Sequence, residues 1–156
     1  MKAPEHEWER RADAVLGVAA SAILMGMMLL TFVDVVARYV FNRPLRGGFE
    51  VTELLLLVLI FAGLPLVSHA DEHVTMDFVD RLLSRRGRAW LGRIVHLLVS
   101  AMFFFMAWQI SIRAARVADY GDATDVLRIE YGPFVYFSAA MIALAGMIHL
   151  YKVLQR

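Results

Sequence analysis

Four stretches of the chain carry no charged residue: 14–33, 54–70, 94–112 and 131–151, holding 20, 17, 19 and 21 residues. A helix needs roughly 20 consecutive apolar residues to cross the hydrocarbon core of a bilayer. The pattern predicts four transmembrane helices, over about 14–36, 51–70, 89–112 and 132–152, in one membrane domain covering 1–156. Between the second and third stretches the period changes. Val74, Phe78, Val79, Leu82 and Leu83 recur at three- and four-residue steps, while Asp77, Asp80, Arg81 and Ser84 fill the other face. That spacing predicts an amphipathic helix lying in the membrane interface, over about 75–86. The expected fold class is all-α, an integral membrane four-helix protein with this additional interfacial helix.

Composition agrees, with 60% hydrophobic residues against the roughly 45–50% of a soluble domain. A net charge of +1 gives no basic field for a nucleic acid, and the absence of cysteine excludes a disulfide scaffold and a thiolate metal site. No Walker motif and no nucleophile triad spacing is present, so the chain is not expected to be an enzyme. Ala19, Ala20, Ser21 and Ala22 are small enough for a signal peptidase, yet the apolar run continues through 23–33. An uncleaved anchor is expected.

Lysines and arginines give the orientation. Lys2, Arg10, Arg11, Arg81, Arg85, Arg86, Arg88, Arg93, Lys152 and Arg156 fall on one side, and Arg38, Arg43, Arg46, Arg113, Arg116 and Arg128 on the other. Ten against six favours both termini in the cytoplasm. The opposite side then carries an outer loop, 113–130, with Asp119, Tyr120, Gly121, Asp122 and Asp125.

Two clusters carry candidate chemistry. Asp34 and Arg38 are four apart at the end of the first span and can pair; Glu50 and Glu53, three apart, open the second and are expected to face the same way. Three readings compete: an ion or proton site, a salt-bridged cap joining two helix ends, and acids pairing with basic residues of another subunit. The cap is favoured because the cluster sits at the interface rather than the midplane. His69, His96 and His149 each lie two or three residues from a charge at the inner end of a span, so antiparallel threading brings them to one depth. Facing imidazoles can ligate haem, but interfacial histidines are more simply solvated or hydrogen-bonded. Small residues mark packing faces: Gly17, Ser21 and Gly26 in the first span, and Ala139, Ala143, Ala145 and Gly146 in the fourth. No span carries a charge near its centre or a pair of broken-helix signals, which argues against a complete transporter.

Arg38-Tyr39-Val40-Phe41-Asn42-Arg43-Pro44-Leu45, followed by Glu50 and Glu53 opening a helix with Phe61 and Gly63, resembles a known signature. It is similar to the small membrane subunit of tripartite ATP-independent periplasmic (TRAP) transporters. Glu72-His73-Val74-Thr75-Met76-Asp77 matches that family after the second span, and Leu127 and Ile129 before Pro133 match loosely. The chain departs from it where Glu53 follows Glu50 by a turn instead of adjoining it, at Met76, and where Arg128 and Glu130 charge a stretch that is usually apolar.

The resemblance implies an accessory role in sodium-driven uptake of organic acids across a bacterial inner membrane. A large multi-span subunit moves the solute by an elevator-type motion, a periplasmic binding protein delivers it, and the small subunit braces the immobile scaffold. The sodium gradient is used by the large subunit, and no cofactor or metal is expected in this chain. Asp34, Arg38, Tyr39, Asn42, Pro44, Glu50 and Glu53 are then expected to form an outer-side junction, structural or with a partner. Val74, Asp77, Phe78 and Leu82 would lie along the inner interface, and Arg43, Arg46, Asp119, Asp122, Asp125 and Arg128 are candidates for docking the binding protein. The rivals are a haem- or quinone-associated anchor subunit and a self-sufficient small transporter or channel.

Overall fold

A computed structural model of the chain describes residues 7–69 and 85–155. They form four helices: α1 Glu7–Val40, α2 Gly48–His69, α3 Arg85–Tyr120 and α4 Gly132–Gln155. Each contains a window long and apolar enough to cross a membrane: Gly17–Val40, Gly48–Pro65, Trp90–Tyr120 and Gly132–Leu154. Among the described residues the extended pairing is one isolated bridge, Ala123 to Glu130. The segment expected to form the interfacial helix, with Val74, Asp77, Phe78 and Leu82, lies outside the described residues; Arg85 and Arg86, at its end, open α3.

The helix ends follow from local chemistry. α1 stops where Asn42 turns left-handed at φ 52°, a conformation asparagine tolerates better than most residues. Its carbonyls are taken up in the turn, with the Ala37 oxygen accepting bonds from the Phe41 and Arg43 amides at 3.2 and 3.1 Å. α3 ends at Gly121, φ 66°, where the Gly121 amide bonds the Ala118 oxygen and the Asp122 amide bonds the Val117 oxygen. That is a Schellman closure, for which glycine has no Cβ penalty. The expected loop over 113–130 is therefore corrected: Arg113, Arg116, Asp119 and Tyr120 are helical, and only 121–131 connect α3 to α4. Arginine and alanine are strong helix formers, and nothing breaks the helix before Gly121. At 36 residues α3 is about 54 Å long at ~1.5 Å per residue, well beyond the ~30 Å hydrocarbon core.

The helices pack as a row, α1 on α2, α2 on α4 and α4 on α3, with the last contact the most extensive. Small residues make that contact close. Ala107 and Ala114 of α3 are buried, as are Ala139, Ile142 and Ala145 of α4. Gly146 sits so near α3 that an added Cβ would lie 3.2 Å from the Phe103 Cβ and 3.6 Å from the Phe104 ring. With lipid as apolar as leucine, such packing and inter-helix hydrogen bonds hold membrane helices together. The Ser100 hydroxyl supplies one, donating to the Gly146 carbonyl at 3.0 Å. By contrast Gly17 and Gly26 of α1 face open space.

This packing predicts a graded response at Gly146. Gly146→Ala should cost little, because Phe103 need yield only a few tenths of an ångström, whereas Gly146→Leu should destabilise by about 1–3 kcal/mol through overpacking. Thermal unfolding in detergent should show that order, and equal behaviour of the two variants would contradict a glycine-dependent contact.

Candidate functional site

The junction between α1, α2 and the 121–131 connection is built on two carboxylates. Asp34, in the last turns of α1, accepts a bond from the Arg38 guanidinium at 2.8 Å through Oδ2 and from the Leu45 amide at 2.8 Å through Oδ1. One oxygen thus holds a neighbour on its own helix, and the other fixes the turn leading to α2. Glu50, in the first turn of α2, reaches 76 residues along the chain: Oε1 accepts from the Val126 amide at 2.7 Å and Oε2 from the Leu127 amide at 2.9 Å. Charge-assisted bonds to two adjacent backbone amides are among the stronger hydrogen bonds available to a carboxylate.

The connection is shaped to present those amides. The Thr124 amide bonds the Ile129 carbonyl at 3.0 Å, the Arg128 amide bonds the Thr124 carbonyl at 3.2 Å, and the Tyr131 amide bonds the Asp122 carbonyl at 3.0 Å. The fully buried Thr124 hydroxyl oxygen accepts the Ile129 amide, and Arg128 adopts φ 56° at the bend. The Val126 and Leu127 amides at the tip are left for Glu50. Leu127 then lies over Gly47, whose φ is 78° and where an added Cβ would fall 2.4 Å from the leucine Cγ. Gly47 is required twice, for its left-handed backbone and for its missing side chain. A cavity of ≈ 400 Å³ opens beside this junction, bounded by Leu30, Thr31, Asp34, Arg38, Glu50 and Asp125.

Glu50 and Glu53 do not share a role. Glu50 is buried by the connection, while Glu53 is exposed. Three residues apart on a helix, the two side chains differ by only about 60° around the axis, yet that is enough here to put one carboxylate under the loop and the other on the outer surface. Tyr131, just before α4, lies near both. Its burial pushes the phenol above its ordinary value, and the carboxylates of Glu53, Glu50 and Asp125 add to that shift. Tyr39, Asn42, Arg43, Pro44 and Arg46 are exposed around the α1–α2 turn, as are Asp119, Asp122, Asp125 and Arg128 around the connection. Thr124, Gly47 and Tyr131 are not apparent as site residues from the sequence, and Leu127 enters it only as a loose family match; the Gly47-Gly48 pair ahead of Phe49 and Glu50 is the local signal of a tight turn.

At the opposite end of the row His96 and His149 are buried and meet directly, Nδ1 to Nδ1 at 3.2 Å, with Phe103 stacked on His149. Lys152 donates to the Ser68 carbonyl at 2.6 Å, tying α4 to the end of α2 beside His69, whose side chain lies outside the described residues. The facing nitrogens of His96 and His149 are spent on each other, so the pair joins α3 to α4. No group of three or more potential metal ligands occurs among the described residues.

Four helices in a row, each long and apolar enough to cross a membrane, with polar groups tying their ends together, define an integral membrane helix protein. Residues 27–156 match the DctQ component of tripartite ATP-independent periplasmic transporters, and the chain belongs to that family. It is therefore a TRAP transporter small membrane component. No curated protein matches the chain directly.

Two outcomes follow from the junction. Glu50→Gln and Gly47→Ala should each release the connection, seen as faster amide exchange at Val126 and Leu127 with α3 and α4 unchanged; protection equal to wild type would refute the Glu50 clamp. Raising the Tyr131 pKa means that the fold favours the neutral phenol and loses that preference as pH rises through the folded value. Glu53→Gln should lower the alkaline titration point of Tyr131 in an absorbance titration that uses Tyr131→Phe to assign the signal.

Proposed function

We propose that this chain is a bracing subunit: it packs against the large elevator-type membrane subunit, stiffens its immobile scaffold, and offers a fixed periplasmic platform to the solute-binding protein during sodium-driven uptake of organic acids. Membership of a tripartite family supplies the two partners. The observation that carries bracing is that none of the α1 span and only a third of the α4 span is buried within the chain. A single row of helices with so much uncovered surface is suited to lying against a larger protein. In this reading both termini are cytoplasmic, in the bacterial inner membrane. The junction end faces the periplasm, where Arg43, Arg46, Asp119, Asp122, Asp125 and Arg128 surround the clamped connection and form the docking surface. Asp34, Arg38 and Glu50 hold that surface in place, with Tyr39, Asn42 and Pro44 at its edge.

Mild-detergent purification of the chain from native membranes should bring down one much larger multi-span protein in a colourless complex. Reversing the charge of Glu50 and Glu53 together should weaken that assembly more than solute affinity. A haem absorption band lost on replacing His96 or His149, or solute flux into vesicles holding this chain alone, would overturn the bracing reading.

A further inference from the structure

One face of α2 is unexplained by the packing within the chain. Its buried residues are Glu50, Leu54, Pro65 and Ser68, with Glu50 bonded to the connection and the Ser68 carbonyl to Lys152 of α4. Phe49, Glu53, Leu56, Ile60 and Val67 are exposed, and Gly63 has open space where a Cβ would be. At about 100° per residue, positions 49, 53, 56, 60, 63 and 67 fall within a strip roughly 80° wide, so they form one ridge along the helix. Its composition is not that of a lipid-facing surface. The exposed side of α3, with Leu97, Leu98, Met102, Phe105 and Met106, is bulky and uncharged. The α2 ridge instead carries a carboxylate inside the Gly48–Pro65 span and a glycine two turns and more below it. Among the described residues Glu53 makes no hydrogen bond or ion pair, although it lies near the Tyr131 phenol, whereas both oxygens of Glu50 and of Asp34 are bonded.

A carboxylate exposed on an apolar helix face is costly unless it meets a cation or a donor. A glycine on the same ridge lets another helix approach closely. We infer that the Phe49–Val67 ridge of α2 seats a helix of the large membrane subunit, and that this helix carries a lysine, arginine or neutral hydrogen-bond donor opposite Glu53 with a side chain packed over Gly63. The inference rests on the bracing reading and deepens it, since it commits one face of one helix to the partner and leaves the exposed side of α3 to lipid.

The chain contains no cysteine, so single cysteines can be placed at will and labelled with a benzophenone maleimide in native membranes. Leu56→Cys and Ile60→Cys should photocrosslink to the large subunit, while Leu98→Cys on α3 should not. In co-purification, Glu53→Gln should lower the retained large subunit by about tenfold or more, as when one partner of a desolvated charge pair is removed. Gly63→Leu should do the same while leaving the chain folded, because its added side chain starts in open space. Crosslinks from Leu98→Cys instead of Leu56→Cys and Ile60→Cys would overturn the assignment of the face while leaving the bracing reading intact. Full complex recovery with both Glu53→Gln and Gly63→Leu would overturn the ridge contact. A wild-type chain that retains no larger protein would overturn the bracing reading itself.

Discussion

The carboxylate of Glu50 ties the two halves of this chain together at the junction, where the packing of α2 on α4 and the Lys152–Ser68 bond do not reach. It is positioned by the first turn of α2 and bonded to two successive amides in the connection between α3 and α4. Because Asp34 holds the Leu45 amide in the turn just before, the end of α1, the start of α2 and the 121–131 connection become one body. Without an acceptor in that place, the Val126 and Leu127 amides, on exposed residues, would exchange two charge-assisted bonds for water and the tip of the connection would lose its hold on α2. The left-handed Gly47 and the seating of Leu127 over it depend on the same contact.

The rest of the molecule is held by a different balance. Between α3 and α4 alanines and Gly146 bring the backbones together, and the polar contacts Ser100 to Gly146 and His96 to His149 cross the gap. Every buried side-chain polar atom among the described residues has a partner, as the low dielectric of a membrane interior demands. α1 lacks such support: it packs on α2, and its glycines face open space. The chain is therefore firm at the α3–α4 pair and at the junction, and incomplete along its remaining flanks. Incompleteness of this kind suits a component of a tripartite transporter.

Much of this was legible in the sequence. Charge-free runs of bilayer length located the four helices, because lipid tolerates neither unpaired backbone nor stray charge, and that constraint acts on every residue of a span. The pairing distance of Asp34 and Arg38 on one helix, the small-residue face of α4, and the common depth of His96 and His149 also follow from local spacing and antiparallel threading. The resemblance to the family is carried by local strings such as Arg38 to Leu45, within a family match that covers residues 27–156.

The tertiary structure decided what local spacing cannot reach. It separated Glu50 from Glu53, although the two are one turn apart and chemically alike, because one is buried accepting two amides of the connection and the other stays exposed beside it. It extended α3 through Tyr120 and shortened the connection, where the run of helix formers outweighed the polarity that marked a loop. Which helix neighbours which, and which acid receives the amides of residues 126 and 127, depend on contacts between segments far apart in the chain. Membrane insertion is a property of each segment taken alone, and so the sequence determines it; the junction is a property of how the segments meet, and only their packing determines that.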